Sequence, residues 1–298
     1  MADADLNRSP VVALVTGGNQ GLGLSLVRGL ARQLGENGVV YLAARDVGRG
    51  QQAVDQLNAE GLQPVPQQLD VRDDAQVNAA ADLLRERHGG ADIVISNAAA
   101  RLDPEHSDAE DVRAFIDTNN HGTHRMIRAF GPLLRDGGRF VVVASSFGSV
   151  RHLPEHLHGQ FDTDHQSLED LEAVMDDYAS LVEAGAAAKA GWPAWINIAS
   201  KVGQVAAIRI MARMYREKAA RRGILINAAC PGLIDTDASR PWFADMSQAQ
   251  SPDEAAVDVL WLATLPAGGT EPYGELVQHR IVLSFRGTPL TPQNRTDA

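Results

Sequence analysis

The chain has 298 residues, 44% of them hydrophobic, and a formal charge of −11 at pH 7. This size and composition can bury a full core, and one large α/β domain is the expected organisation. No basic tract is present, which argues against a nucleic-acid partner because phosphate binding relies on clustered Lys and Arg. A single cysteine, Cys230, excludes an intrachain disulfide, and neither a signal peptide nor an apolar stretch of about 18 residues is evident. The expected location is a reducing cytoplasm, with no membrane association.

A glycine-rich turn follows the first apolar run, Val11–Val15, and precedes a helical segment at 24–31. This order predicts a strand, a turn with the spacing T-G-x-x-x-G-x-G, and a helix. Glycines tolerate positive φ and let the backbone approach a pyrophosphate, whose charge the helix N-terminus attracts. The turn therefore predicts a nucleotide site, the alternative being a turn that binds nothing. The candidate cofactor-binding residues here are Gly17, Asn19, Gln20, Gly21, Leu22 and Gly23.

Six further apolar segments alternate with stretches of helical spacing. They are Gly38–Ala44, Pro64–Leu69, Ala91–Ser96, Arg139–Ala144, Ile224–Ala229 and Gly274–Gln278. This alternation is typical of βαβ units and predicts a doubly wound parallel sheet of the Rossmann type. We expect one domain over 11–285, between a disordered N-terminus at 1–10 and a flexible tail at 286–298. Ligands of such folds bind beyond the carboxyl ends of the strands.

Charged residues follow the second and third predicted strands. Arg45 stands where an acidic residue would hold the ribose hydroxyls of NAD, and arginine instead pairs with a 2′-phosphate. This favours NADPH over NADH, unless Arg45 is merely a solvated surface charge. Asp70 and Val71 end the third strand, where Asp70 is expected either to hold the adenine amino group or to cap a turn.

Further candidate site residues lie at or near the ends of the fourth, fifth and sixth predicted strands. Asn119 lies on the helix between the fourth and fifth strands, and Ser146 follows the fifth strand. The remaining candidates for cofactor binding, which follow the fourth and sixth strands, are Asn97, Ala98, Pro231, Gly232, Ile234 and Thr236.

Together these motifs resemble the short-chain dehydrogenase/reductase family over about Val11 to Val282. The segments Gly191–Pro193 and Asn227–Gly232 are similar to its monomeric carbonyl-reductase branch. The resemblance implies an NADPH-dependent oxidoreductase that works as a monomer. It also implies a proton-transfer set of Asn, Ser, Tyr and Lys, of which Asn119, Ser146 and Lys201 are present, Lys201 also holding the nicotinamide ribose.

The family's tyrosine stands four residues before its lysine, and this chain has Asn197 at that position. Residues four apart share a helix face, so Asn197 and Lys201 are expected to point at the nicotinamide together. A carboxamide donates a hydrogen bond but has no proton to release near neutral pH. The candidate catalytic residues are therefore Ser146, Lys201, Asn119 and Asn197.

The missing phenol limits the kinds of carbonyl compound that the chain could reduce. Hydride delivery to a ketone gives an alkoxide whose conjugate acid titrates near that of water, roughly 15.7, whereas a quinone gives a phenolate with a value of about 10. We therefore expect an NADPH-dependent reductase of a quinone or conjugated carbonyl of a bulky aromatic substrate, such as a polyketide of antibiotic biosynthesis. Two alternatives are a ketone reductase that uses His152 as a substitute acid and an inactive NADPH-binding protein. Trp195 and Pro241–Phe243 are candidates to line a flat cleft.

An insertion at about 151–194 precedes the active-site helix. Apolar residues at helical spacing predict an amphipathic helix over Ser167–Glu183, with Tyr178 on its buried face. By the resemblance, this insertion covers a surface that other family members use to dimerise. The nearby histidines lack a convincing ligand frame, so no metal site is predicted; they are His152, His156, His158 and His165.

Overall fold

One sheet organises residues 10–287, the part of the chain that the computed structural model describes. Its strands are β1 (Val11–Thr16), β2 (Gly38–Ala44), β3 (Val65–Gln68), β4 (Ala91–Ser96), β5 (Leu134–Val143), β6 (Leu225–Ala229), β7 (Leu276–Gln278) and β8 (Ile281–Leu283). They lie in the order β3-β2-β1-β4-β5-β6-β7-β8, with β1 to β7 parallel and β8 antiparallel at the edge. The predicted doubly wound parallel sheet is confirmed.

The edge strand β8 was not predicted from the sequence. It has three residues, and two of them, Ile281 and Val282, are exposed. A strand this short has no alternation long enough to be recognised, and it forms because β7 offers it an unpaired edge. The predicted disordered ends at 1–10 and 286–298 lie outside the described residues, apart from positions 10, 286 and 287.

Helices cover both faces of the sheet. They are α1 (Gly21–Leu34), α2 (Val47–Ala59), α3 (Asp74–His88), α4 (Asp108–Ile116), α5 (Gly122–Phe130), α6 (Leu168–Glu183), α7 (Ile196–Arg222) and α8 (Pro252–Ala263). Helices α1, α2 and α8 contribute to one buried cluster, and α3 to α7 contribute to the other. Strand β1 shows why the faces separate: Val12 and Leu14 belong to one cluster, while Ala13 and Val15 belong to the other. None of the helices described between 10 and 287 is long and apolar enough to cross a membrane.

The insertion contains α6, which starts one residue after the predicted boundary. Ser167 is its N-cap, and its side chain accepts a hydrogen bond from the backbone N–H of Asp170. The predicted apolar stripe is buried, Tyr178 included, and it packs against α4 and α7. A five-residue π-turn, Asp117–His121, joins α4 to α5 and lies against α7. The insertion therefore braces the helices that carry the candidate site.

Candidate active site

The glycine turn after β1 brings backbone groups very close together. Gly17 and Gly21 have φ of +63° and +50°, in the region that favours glycine. A Cβ at Gly23 would lie 2.0 Å from the Gly17 carbonyl oxygen and 2.7 Å from Nδ2 of Asn97. A side chain at Gly23 would fill the space into which the turn folds, so glycine is required here and the turn Gly17–Gly23 is a candidate backbone cradle for an anion.

Helix α1 begins without a side-chain cap. Its N-cap residue, Gln20, makes no capping hydrogen bond, and its first turn contains no acidic residue. By contrast, Asp46 caps α2 and Asp73 caps α3 through their carboxylates. The first N–H groups of α1 and the positive end of its dipole are therefore free to hold an anion. Leu22 is buried in the core, so it can contribute to such a site only through its backbone.

Asn97 and Ala98, at the end of β4, hold this turn in place through hydrogen bonds to Thr16, the residue that precedes it. The Asn97 amide donates to the carbonyl of Thr16 at 2.9 Å, and the backbone N–H groups of Asn97 and Ala98 donate to its hydroxyl at 2.9 and 3.0 Å. Because β1 and β4 are neighbours where the strand order reverses, these bonds fix the edge at which doubly wound folds bind ligands.

Arg45 lies exposed just beyond β2 and forms no ion pair with any residue in 10–287. Asp70 is engaged by Arg72, whose guanidinium donates to its Oδ2 at 3.0 Å and whose backbone N–H donates to its Oδ1 at 3.0 Å. Burial raises the pKa of Asp70, but these bonds and the charges of Arg72 and Arg45 outweigh it and leave the pKa below its usual range. Val71 is buried against Gly122. Arg72, which the sequence did not single out, adds a second guanidinium near Arg45.

The loop after β6 returns to the glycine turn. Gly232 has a φ of +81°, and Nε2 of Gln250 donates to the Pro231 carbonyl at 3.2 Å. Ile234 forms an isolated β-bridge with Gln250, two residues before Thr236. The methyl group of Thr236 lies 3.6 Å from the position that a Cβ at Gly21 would take. Residues far apart in the chain thus border the same turn.

Ser146, Lys201 and Cys230 meet where β5, β6 and α7 converge. Ser146 begins a 3₁₀ turn after β5, Lys201 lies in the second turn of α7, and Cys230 directly follows β6. Burial lowers the pKa of Lys201 to about 8, against an opposing contribution from Cys230. Burial raises the pKa of Cys230, opposed by hydrogen bonds from Gly232 and Ser146 and by the charge of Lys201. The cluster therefore holds a cation that titrates in a mildly alkaline range.

Asn197 is the second residue of α7 and lies one turn before Lys201. It is half-buried, and its amide makes no hydrogen bond with any residue in the described part of the chain. Asn119 differs, because its side-chain oxygen accepts from the N–H of Ala100 at 2.9 Å and its carbonyl accepts from the hydroxyl of Thr123 at 2.6 Å. With 1% of its surface exposed, Asn119 supports the loop after β4.

All four tyrosines of the chain are accounted for away from Lys201. The hydroxyl of Tyr41 pairs with His88 at 2.8 Å, and that of Tyr273 donates to the Ala212 carbonyl at 2.7 Å. Tyr215 packs against Gly131. Tyr178 packs at a tilted angle on Trp192, with ring centroids 4.5 Å apart, and the charge that acts on it is that of Asp108. No tyrosine takes the place beside Lys201.

The histidines of the insertion are used locally. Nε2 of His152 lies 3.1 Å from the carbonyl of Ser146, and burial, then the charge of Arg151, lowers the pKa of His152. His156 pairs with the carbonyl of Ala190, His158 pairs with that of Leu153, and His165 pairs with the carboxylate of Asp162. Of this group, His152 alone adjoins the candidate catalytic residues.

A different group brings together His121, His124 and Glu172, with possible ligand atoms within 4.8 Å of one another. The sequence did not suggest it, because Glu172 comes from α6 and the histidines come from the π-turn and α5. Arg128 donates to both carboxylate oxygens of Glu172, at 2.7 and 3.0 Å. The positive charge of Arg128 opposes a metal cation here, and the group is an ion-pair network that ties the insertion to the π-turn.

Aromatic rings cluster around Trp195 and Phe147, which lie next to Asn197 and Ser146 along the chain. Trp195 packs edge-on against Phe147 and Phe243, with centroids 5.4 and 6.0 Å away, and stacks on Trp242 at 6.5 Å. The indole N–H of Trp195 is buried and has no acceptor in the described part of the chain. Trp195, Trp242 and Phe243, which the sequence predicted to line a cleft, are therefore neighbours, and Phe147 joins them.

Comparison with known proteins gives consistent matches. The short chain dehydrogenase family model matches residues 11–155. The chain is 39% identical over 280 residues to carbonyl reductase (NADPH) 1 of Homo sapiens, covering 91% of this chain and 97% of that protein. It is 35% identical over 287 residues to the Bos taurus protein of the same name, covering 94% and 100%. Salutaridine reductase from Papaver somniferum superposes with a TM-score of 0.75 at 25% identity, covering 89% of this chain and 99% of that one.

Proposed function

Since the chain belongs to the short-chain dehydrogenase/reductase family and is an NADP-dependent oxidoreductase similar to the carbonyl reductases, we propose that it reduces a quinone or conjugated carbonyl of a bulky aromatic substrate. The observation that carries the proposal is the pairing of Asn197 with Lys201 on one helix face, with every tyrosine placed elsewhere.

NADPH fits the residues around the cradle. The free N–H groups of α1 would hold its pyrophosphate. Because Gly17 and Gly23 carry no side chains, the backbone of the turn can reach the pyrophosphate directly. Arg45 would pair with the 2′-phosphate, and Lys201 would hold the nicotinamide ribose. Bound NADPH supplies the hydride.

The chemical step then depends on how the product oxygen is stabilised. A phenolate-like oxyanion is easier to form than an alkoxide by about 7 to 8 kcal/mol, from about 5 to 6 pKa units at roughly 1.36 kcal/mol each. The hydroxyl of Ser146, the amide of Asn197 and the ammonium of Lys201 supply hydrogen bonds and charge to that oxygen without a proton transfer. Protonation of the oxyanion by solvent follows.

The aromatic rings support the size of the substrate. Trp195, Trp242 and Phe243 form an apolar wall that suits a flat ring system, and Phe147 places the wall next to Ser146. These features favour a polycyclic compound, such as an aromatic polyketide of antibiotic biosynthesis, over a small aliphatic ketone.

Stopped-flow mixing of enzyme and NADPH with matched panels of quinones and simple ketones tests the proposal. We expect rapid NADPH oxidation with polycyclic quinones and a rate at least about 100-fold lower with ketones, since a positioned acid contributes about 10²- to 10⁴-fold. Oxidation of NADPH by the ketones but by none of the quinones would reject the proposal.

A second candidate, ordinary ketone reduction with His152 as acid, is favoured by the position of that imidazole 3.1 Å from the Ser146 carbonyl. The lowered pKa of His152 argues against it, because a neutral imidazole is a poor acid. His152→Ala should abolish turnover if this candidate is right and should leave turnover almost unchanged if the quinone proposal is right.

We also infer a cytoplasmic monomer. Helix α6 packs on α4 and α7, and by the resemblance to carbonyl reductases it covers the surface that other family members use to dimerise. Light scattering at micromolar concentration should give the mass of one chain, 31.9 kDa. A dimer mass would contradict the inference.

A further inference from the structure

A chain of hydrogen bonds, buried beyond Lys201, leads from Lys201 into the π-turn. Nζ of Lys201 donates to Oε1 of Gln204 at 2.8 Å, and Nε2 of Gln204 lies 3.3 Å from the hydroxyl oxygen of Thr123. That hydroxyl donates to the carbonyl of Asn119 at 2.6 Å. Gln204 and Thr123 are each 2% exposed, so water does not replace these bonds. The ammonium is thereby linked to the element that carries Asn119.

The direction of every bond in the chain is determined. The carbonyl of Asn119 can only accept, so the hydrogen of Thr123 is committed to it, and the oxygen of Thr123 is left to accept from Gln204. Gln204 must then turn its NH₂ group to Thr123 and its carbonyl oxygen to Lys201. A flipped amide would leave two donors facing each other at Lys201, which burial makes costly.

The frame around this chain allows little adjustment. Asn120 and Ser200 exchange two buried hydrogen bonds, at 2.9 and 2.8 Å, which fix α7 against the π-turn. A Cβ at Gly203 would lie 2.5 Å from Nδ2 of Asn120, so the Asn120 side chain packs directly on the backbone of α7. The Gln204 carbonyl is therefore presented to Lys201 at a fixed point.

We propose that Gln204 is a positioning residue for the reduction, which uses its carbonyl oxygen to keep the Lys201 ammonium charged and in place for the product oxyanion. This inference rests on the proposed function, because without a tyrosine the ammonium is the cation available to that oxygen. Gln204 touches neither substrate nor cofactor and acts only through Lys201.

Among the described residues, Gln204 is the only one that accepts a hydrogen bond from the ammonium. Cys230, on the loop after β6, is the titratable group whose charge would raise the pKa of Lys201, and burial raises the pKa of its own thiol. Ser146 after β5 and Thr123 on α5 are neutral hydroxyls. The hydrogen bond to the Gln204 oxygen favours the charged form of Lys201, whose pKa burial lowers to about 8.

The protein has three lysines, Lys189, Lys201 and Lys218, which makes a direct titration practical. Lysine labelled with ¹³C at Cε gives three NMR signals, and Lys189→Arg and Lys218→Arg identify the third as Lys201. We expect Gln204→Met, which keeps the volume and loses the carbonyl, to lower the pKa of Lys201 by about one unit. Gln204→Glu, which adds a negative charge, should raise it by about one unit.

Opposite shifts are the result that a merely structural role does not produce. Thr123→Val, which frees the Gln204 amide to rotate, should lower the pKa less than Gln204→Met does. Gln51→Met, an exposed amide change on α2, serves as the control for labelling and should shift nothing. Unchanged pKa values in both Gln204 variants, or shifts in the same direction, would overturn the proposal.

Turnover provides the second measurement. With a quinone substrate, Gln204→Met should move the alkaline fall of kcat about one pH unit lower and change KM by less than about twofold, whereas Gln204→Glu should move it higher. A changed KM with an unmoved pH profile would count against the proposal. The NMR titration needs no substrate, so a wild-type enzyme that ignores quinones refutes the proposed function while the Lys201 shifts still decide the role of Gln204.

Discussion

A Cβ on Gly23 would lie 2.0 Å from the carbonyl oxygen of Gly17, so the first turn of α1 packs directly on the turn that precedes it. Real Cβ atoms do not approach a backbone oxygen this closely. The cradle of the proposed NADPH site therefore exists only with glycine at this position.

Gly23→Ala should push α1 away from the turn and weaken NADPH binding by at least about tenfold, with a lower Tm. Gly159→Ala is the matched control, because a Cβ there would meet no atom within 4 Å. Fluorescence titration with NADPH and thermal unfolding measure the two effects. Wild-type affinity in Gly23→Ala would show that the turn does not form the cradle.

Arg45→Asp should reverse the cofactor preference. The exposed guanidinium has no other ion-pair partner in the described part of the chain, and a hydrogen bond to a charged group is worth about 1.5 to 3 kcal/mol, or roughly 10- to 150-fold in the NADPH/NADH ratio of kcat/KM. Arg87→Asp, on α3, controls for the change in net charge. If Arg45→Asp kept the wild-type ratio, the 2′-phosphate would have to be bound elsewhere, with Arg72 the next residue to test.

Asn197→Tyr should create an acid beside Lys201. We expect ketone reduction to rise by about 100-fold or more, because a positioned general acid contributes about 10²- to 10⁴-fold. Asn197→Phe carries the same ring without the hydroxyl and should give no such gain. Steady-state rates with a ketone and a quinone separate the outcomes, and a tyrosine variant that binds NADPH normally but stays inactive on ketones would contradict the role assigned to position 197.

The pH dependence of quinone reduction follows from Lys201. Its pKa of about 8 means that the ammonium, and with it the stabilisation of the oxyanion, is lost as pH rises, so kcat should fall above about pH 8.

The stability of the fold should instead increase with pH, through the same lysine. Since the folded pKa lies below the unfolded value of about 10.4, the unfolded chain binds more protons between these values, and the Lys201 contribution to the free energy of unfolding increases from about pH 8 to about 10.4. Urea unfolding across this range checks the sign, and Lys201→Met should remove the increase.

Tyr178→Phe should leave activity unchanged and raise the Tm. The hydroxyl of Tyr178 is buried without a hydrogen-bond partner in the described residues, and burial raises its pKa far above the usual range. Removing an unsatisfied buried group relieves a penalty of about 1 to 3 kcal/mol. Leu171→Ala on the same helix face is the contrasting variant and should lower the Tm by leaving a cavity. Loss of quinone reduction in Tyr178→Phe would instead identify Tyr178 as the acid.

The sequence predicted the parallel strands closely because each is a short apolar run with turn residues on both sides. The predicted and observed limits agree fully for Gly38–Ala44 and Ala91–Ser96. Strand β5 begins five residues before its predicted start, at Leu134, because Asp136 and the two glycines that follow it hide the pattern. Here pairing with β4 extends the strand where local preference does not.

The sequence by itself determined which residues are candidates for the site and their order: the glycine turn, Arg45, Ser146, Asn197 and Lys201 follow from spacing along strands and helices, which is a local property of the chain. The tertiary structure decided what those residues touch. Gln204 meets Thr123 across 81 positions, and Thr236 lies over Gly21 across more than 200, and no local pattern encodes such pairs. The physical reason is that hydrogen bonds and close packing depend on how distant elements stack on the sheet, which the whole chain settles together.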